Sequence, residues 1–197
     1  MSLIVGLNKC VLCQQPIGDG VNQCPHCGAQ LTFSAPSDFN GVSRGKLMAY
    51  TDSYQEILQE KPNDNAANKS IALCYLMLQM YDEAYTYFMK ATVSNYDDAD
   101  AYYYAAVCMM KGKKAFLHTR PEIDKCLELL NAAISVEPKG IYYYYMAYIK
   151  YDYFKRKFLI TKPDFKECLL KAKNYGCTMA EVNEMYSVLG VEKVNMV

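Results

Sequence analysis

The sequence predicts an all-α chain of helical hairpins with a small cysteine-held module ahead of it. From Lys46 onward no convincing two-residue alternation of apolar and polar residues occurs, so strands are not expected. Pro and Gly punctuate that stretch at helix-hairpin intervals. Small residues also recur at a spacing of 34: Ala106 follows Ala72, and Cys108 follows Cys74. Ahead of the helical body, four of the nine cysteines form two C-x-x-C pairs.

Composition sets the outer bounds. The chain has 197 residues, 52% of them hydrophobic and 21% charged, which is the balance of a folded protein rather than a disordered one. Lys plus Arg and Asp plus Glu each number 21, so no net field draws the chain to nucleic acid or membrane. The longest uncharged apolar-aromatic run, Ile141 to Ile149, is far shorter than the roughly 20 residues a membrane helix needs. Met1 to Leu7 lacks the basic start and the apolar length of a signal peptide. A cytoplasmic protein without a membrane partner is therefore expected. The odd cysteine total argues against a disulfide framework, and Cys74, Cys108, Cys126, Cys168 and Cys177 are expected to act as small buried apolar residues.

The first element is the module at residues 1–31. Cys10-x-x-Cys13 and Cys24-x-x-Cys27 are ten residues apart. Each pair can form a tight turn aiming two thiolates at one point, and two facing turns complete a tetrahedral four-sulfur site suited to Zn2+. Gly28 stands where such a turn often needs a positive φ, and Gly18-Asp19-Gly20 can reverse the chain between the pairs. Four protein ligands leave no open position for water, so the ion is expected to be structural, and metal binding supplies the module's folding energy. His26 lies between two ligands and is expected on the turn surface. A redox role is disfavoured because no βαβ unit surrounds either pair. The segment resembles the short zinc ribbons of many prokaryotic proteins. Asp19 is its only charged side chain between Cys10 and Leu31, too few for a phosphate-binding surface.

Residues 32–45, rich in Ser, Gly, Asn and Pro, read as a linker that Phe33 and Phe39 can pin to the helical body. The helical repeats occupy 46–176. With Asn65 as position 1, Ala72, Tyr75, Ala84, Phe88 and Ala91 fall at positions 8, 11, 20, 24 and 27. These small and aromatic positions resemble a tetratricopeptide repeat, although Asn68 replaces the aromatic at position 4 and Tyr96 the proline at 32. A second unit starts at Asp98 to Ala99 and carries Cys126, Leu130, Ala133 and Pro138 in its second half. A third carries Ala147, Phe165, Leu169 and Ala172. Insertions are needed near Lys113 to Arg120 and near Tyr153 to Thr161. Tyr50, Tyr54, Ile57 and Pro62 make a leading half repeat. Small residues let the helices of a hairpin approach closely, and larger ones interdigitate with the next hairpin, giving a solenoid. Residues 177–190 read as a capping helix with a Thr178–Glu181 capping box and an apolar stripe of Met179, Val182, Met185, Tyr186 and Leu189. A short tail, 191–197, completes the chain.

The resemblance implies a concave groove lined by the first helix of each repeat. Its expected lining is Lys69, Leu73 and Leu76, then Tyr103, Val107 and Met110, then Tyr144, Tyr148 and Tyr151. Ala66, Asp100 and Ile141 fall at the remaining groove position of the three units. Such an apolar, aromatic surface suits a protein or peptide partner. The alternatives are that the tyrosine runs are core, or that the linker or module fills the groove itself. The Lys and Asn pattern by which some members grip a C-terminal carboxylate is incomplete, since Leu73 and Tyr144 stand at its positions. Charge is segregated: residues 51–100 hold nine acids and three bases, and residues 111–162 hold five acids and eleven bases. Lys113, Lys114, Arg120, Lys155, Arg156 and Lys157, together with Lys111 and Lys162, are expected to form a shared basic rim on the edge from which both insertions project. Its possible uses are an acidic protein, a nucleic-acid backbone, or simple solvation. No catalytic motif is present, and the two histidines, His26 and His118, have no placed partner. The expectation is a non-enzymatic protein-binding adaptor without a small-molecule substrate, with a nucleic-acid-associated protein as the alternative.

Overall fold

A computed structural model describes residues 9–18 and 21–196, with the backbone alone at Ser94. Met1 to Leu7 and the Asp19-Gly20 part of the expected reversal lie outside the described residues. The chain divides into two compact units, Met1–Tyr96 and Asp97–Val197. Regular structure in the described residues is helical, apart from two isolated β-bridges in the cysteine module.

In the first unit, α1 (Arg44–Glu60) begins at Ser43, whose hydroxyl accepts the Lys46 N–H. Leu47, Tyr50, Thr51 and Tyr54 fall on one face and are buried. α2 (Asn65–Met77) starts on Asp64, whose carboxylate accepts the Ala67 N–H at 2.8 Å. It packs between α1 and α3 (Tyr81–Ser94), so burial extends almost round its circumference. Gln79 takes a left-handed φ of 61°, which lets the Met80 N–H reach back to the Tyr75 carbonyl and turn the chain from α2 to α3. Ala72, Ala84, Phe88 and Ala91, the small and aromatic positions of the sequence pattern, are fully buried in this hairpin.

The second unit pairs α4 (Ala99–Met109) with α5 (Arg120–Val136), and α6 (Gly140–Ile149) with α7 (Phe165–Asn174). α5 also packs on α6. Asp98, Thr119 and Asp164 cap α4, α5 and α7, with Glu122 and Glu167 completing capping boxes on the last two. Both expected insertions are present. The first contains a 3-10 turn at Ala115–Leu117, and the second prolongs α6 by a wider π-helical segment, Lys150–Lys155. Four of the five scattered cysteines are buried; Cys177 is half-buried, because it lies in the turn after α7 rather than inside a hairpin. The final helix, α8 (Met179–Leu189), has the expected capping box and ends at Gly190 with φ 67°. It packs on α6 and α4, so it covers first-helix faces and does not merely succeed the last hairpin.

Gly140 sits where α6 starts against the end of α7. A Cβ there would lie 2.5 Å from the Cys177 nitrogen and 2.8 Å from the Ala172 carbonyl oxygen, both backbone atoms that cannot swing away. Gly45, in the first turn of α1, has nothing within 4 Å of the same point. Gly140→Ala is therefore expected to cost about 1–3 kcal/mol, as other overpacking changes do. Gly45→Ala should be neutral or slightly stabilising. Thermal unfolding of the two variants beside the parent checks both signs.

Candidate metal centre and helix faces

The two C-x-x-C turns are built alike. Cys10 N–H donates to the Gln15 carbonyl and Gln14 N–H to the Cys10 carbonyl, both at 2.9 Å. In the second turn Cys24 N–H donates to Ala29 and Gly28 N–H to Cys24. The fifth residue of each turn is left-handed, Gln14 at φ 60° and Gly28 at φ 71°. A bridge pairs Lys9 with Pro16 across the first turn and Gln23 with Gln30 across the second. Leu12 and His26 N–H groups point at the Cys10 and Cys24 sulfurs at 3.4 Å.

The four sulfurs lie within 4.8 Å of one another, with Cys10–Cys27 at 3.6 Å and Cys13–Cys24 at 3.7 Å. None is in a disulfide. An ion held tetrahedrally by thiolates at about 2.3 Å would place them about 3.8 Å apart, so the four residues fit a metal ion. His26 takes no part: its Nε2 lies 3.1 Å from the Pro16 carbonyl oxygen. Without a cation the cluster cannot ionise evenly. Burial opposes the Cys24 thiolate, yet N–H groups of Cys27 and His26 bring it down to about 6. The Ala29 N–H favours the Cys27 thiolate, but burial and the neighbouring sulfurs push Cys27 up to about 12.

The module is joined to the helices through a packed segment. The Tyr54 hydroxyl donates to the Leu31 carbonyl at 3.0 Å, and the Phe33 N–H donates to Ser70 Oγ at 3.1 Å. Phe33 stacks on Phe39 at 4.0 Å and meets Tyr50 edge-on at 4.9 Å. Leu31, Phe33 and Phe39 are buried, and a 3-10 turn at Pro36–Phe39 touches α2.

The residues expected to line the groove are largely covered. Leu73, Leu76, Tyr103, Val107, Met110 and Tyr148 are buried, while Lys69, Tyr144 and Tyr151 are half-buried. In the second unit the cause is α8. Tyr186 meets Tyr148 edge-on at 5.6 Å, and Val182, Met185 and Leu189 are buried with it. The Tyr148 hydroxyl also accepts the Ala115 N–H at 3.2 Å. Tyr142 and Tyr145 bond to Asp100 at 2.5 Å and to the Ala106 carbonyl at 3.1 Å, so these tyrosines are core. In the first unit α2 is enclosed by α1, α3 and the linker turn. Asn68, which replaces the aromatic of the repeat pattern, donates to the Pro62 and Asp64 carbonyls; its Oδ1 has no hydrogen-bond partner among the described residues, and the side chain lines a pocket of about 420 Å³.

The two insertions are in contact. The Phe116 N–H donates to Asp152 Oδ2 at 2.9 Å, and Arg156 pairs with Asp152 Oδ1 at 2.6 Å. Asp152, fully buried, has no counterpart in the sequence reading, because a pair of this sequence separation leaves no local pattern. Most of the expected rim is internally engaged. Arg156 and Lys157 lie over the Phe116 ring, Lys157 is also 3.8 Å from the Tyr153 ring, and Lys155 faces Tyr151 and Phe165. Arg120 pairs with Asp124, and Lys114 with Glu192. Lys113 is exposed. His118 is buried, with Nε2 3.1 Å from the Met110 carbonyl and Nδ1 3.4 Å from Glu122, which also caps α5.

No family model matches the chain, and none of the curated proteins compared with it does.

Elemental analysis is expected to find one tightly held metal ion per chain. Substituting Cys13→Ser with Cys24→Ser should remove it. Because Leu31 and Phe33 tie the module to α1 and α2, the same change should open residues 32–45 to protease and lower the first unit's stability. Retention of the metal by the double variant would dismiss the site.

Proposed function

We propose that the protein is a non-enzymatic adaptor of the tetratricopeptide kind, braced by a structural zinc ribbon, whose second unit receives a partner helix on the α4–α6 face. The packing of α8 on that face supports this reading. An amphipathic helix with anchors at Val182, Met185, Tyr186 and Leu189 is already seated there, and helix-in-groove recognition uses the same spacing of anchors. The chain thus carries an internal stand-in for its partner. A partner helix would replace α8 against Tyr148 and its neighbours, and Tyr144, half-buried at the rim, would lie beside it.

Zinc is the ion favoured for the ribbon. Four thiolates in a tetrahedron suit it, and a closed coordination shell leaves it a bracing role. The non-enzymatic reading is supported by how the reactive groups are spent. The four clustered thiols face one another, both nitrogens of His118 have neighbours, and Asp152 and Asp100 hold helices together. The nucleic-acid alternative is weakened on the same ground: Arg120, Arg156 and Lys157 already have carboxylate, carbonyl or ring partners for which a phosphate would compete.

Val182→Asp with Met185→Asp should free α8 while leaving α4–α7 folded. A labelled peptide of residues 177–191 should then bind the variant in trans at micromolar concentration and the parent far more weakly, read by fluorescence polarisation. Folded variant protein, verified by circular dichroism, that fails to bind the peptide would overturn the α4–α6 face as a helix receptor.

A further inference from the structure

The second insertion ends in a feature that the adaptor reading does not use. After the π-helical segment, Phe158 adopts a left-handed φ of 57°, and the Leu159 N–H reaches back to the Phe154 carbonyl at 2.8 Å. This is the helix-ending turn that glycine usually occupies. Here it carries a phenylalanine and throws three consecutive apolar residues outward. Phe158 and Ile160 are each 95% exposed, and Leu159 is 42% exposed. Side chains that large are rarely left so open without a use.

The surroundings are cationic. Between Lys150 and Lys166 the chain has six basic residues and two acidic ones, Asp152 and Asp164. Asp152 is buried against Arg156, and Asp164 is occupied in capping α7 through the Glu167 N–H. Behind the apolar tip lies a pocket of about 330 Å³ lined by Lys150, Lys155, Thr161, Lys162, Asp164 and Phe165 together with the tip itself. Lys150 is only 5% exposed. Its ammonium donates to Thr161 Oγ1 at 2.9 Å and sits 5.7 Å from the Phe154 ring centre. It is in none of the ion pairs found among the described residues. Asp164 and Glu167 act on this buried cation only from beyond contact range, so an anion in the pocket would give it the direct ion pair it lacks.

We propose that the Phe158–Ile160 tip and the lysine-lined pocket behind it form a docking site for anionic phospholipid membrane, with the tip entering the interface and a headgroup phosphate meeting Lys150, Lys155 and Lys162. A bilayer fits better than an acidic protein because the apolar group protrudes. A protein would have to bring a cavity matched to the tip, whereas a fluid interface accepts any apolar contour and brings its own mobile anions. The overall charge balance, which gave no reason to expect a membrane partner, conceals this local excess. The proposal does not depend on the α4–α6 face.

The chain has no tryptophan, so Phe158→Trp makes a single reporter at the tip. With vesicles of phosphatidylcholine containing about one third phosphatidylserine, its emission should shift to the blue, with little change on pure phosphatidylcholine. In vesicle sedimentation, Phe158→Ser with Ile160→Ser should weaken partitioning of the parent protein at least about tenfold. Lys150→Gln and Lys162→Gln should each weaken it several-fold, and Lys113→Gln should have little effect. Inorganic phosphate at millimolar concentration should not compete the protein off, since it cannot hold the tip. Failure of the parent to partition onto anionic vesicles overturns the proposal. So does partitioning that is indifferent to the tip and Lys150 changes. A dimer dissolved by the tip substitutions, seen by light scattering without vesicle binding, assigns the tip to a second copy and overturns it equally.

Discussion

An amphipathic hairpin cannot leave its apolar face in water, and in each unit of this protein the chain itself supplies the cover. α2 is buried almost all the way round, and α1 and α3 are not its only cover; Phe33 and the Pro36–Phe39 turn add to the enclosure. α6, with Tyr142, Tyr145, Met146 and Tyr148 buried, is closed by α5, α7 and α8. The burial of each large side chain is worth roughly 1.5–3 kcal/mol, comparable with a sizeable part of a domain's net stability. The positions of the linker, the cysteine module and the last helix all arise from that need.

The first unit's cover adjoins the four-cysteine cluster, which can hold a metal ion. A segment as short as the cysteine module has almost no apolar core, so an ion held there would supply its folding energy. Its last apolar residue, Leu31, is held by the Tyr54 hydroxyl, and two residues later Phe33 is inserted among Phe39, Tyr50 and Tyr54. Whatever fixes the sulfurs also fixes the start of that segment. The cysteine module is thus coupled to α1 and α2 through one hydroxyl, one backbone N–H and a small aromatic cluster.

Much of this was legible in the sequence, and the remainder was hidden for a physical reason. The four cysteines, the hairpin boundaries and the Thr178–Glu181 cap rest on local rules, and local rules survive folding. The buried Ala72, Ala84 and Ala91 were readable because close helix approach tolerates little else. What covers the expected groove residues was not legible, because periodicity says that a face is apolar without saying what packs on it. The stripe on α8 announced a buried helix, but its target on α4 and α6 is a long-range fact. Asp152 was invisible for the same reason: its partners include Phe116, 36 residues away. Phe158–Ile160 would ordinarily be read as core; only the left-handed turn at Phe158 turns it outward.

Self-coverage also sets terms for any partner. A tethered segment competes at an effective concentration near the millimolar range for a short linker, and α8 is joined to α7 through little more than Gly176 and Cys177. A free helix with the same intrinsic affinity would have to reach that concentration to displace half of it. A partner acting at about 1 μM must therefore bind the face about a thousandfold more tightly than α8 does, near 4 kcal/mol. That margin is the size of one or two well-seated aromatic anchors. The most direct source is a larger or better-shaped side chain where Tyr186 now meets Tyr148 edge-on. A face closed in this way would discriminate under the proposed role: weak apolar helices would fail against the resident one, and only a sequence matched to the tyrosine-lined surface would enter.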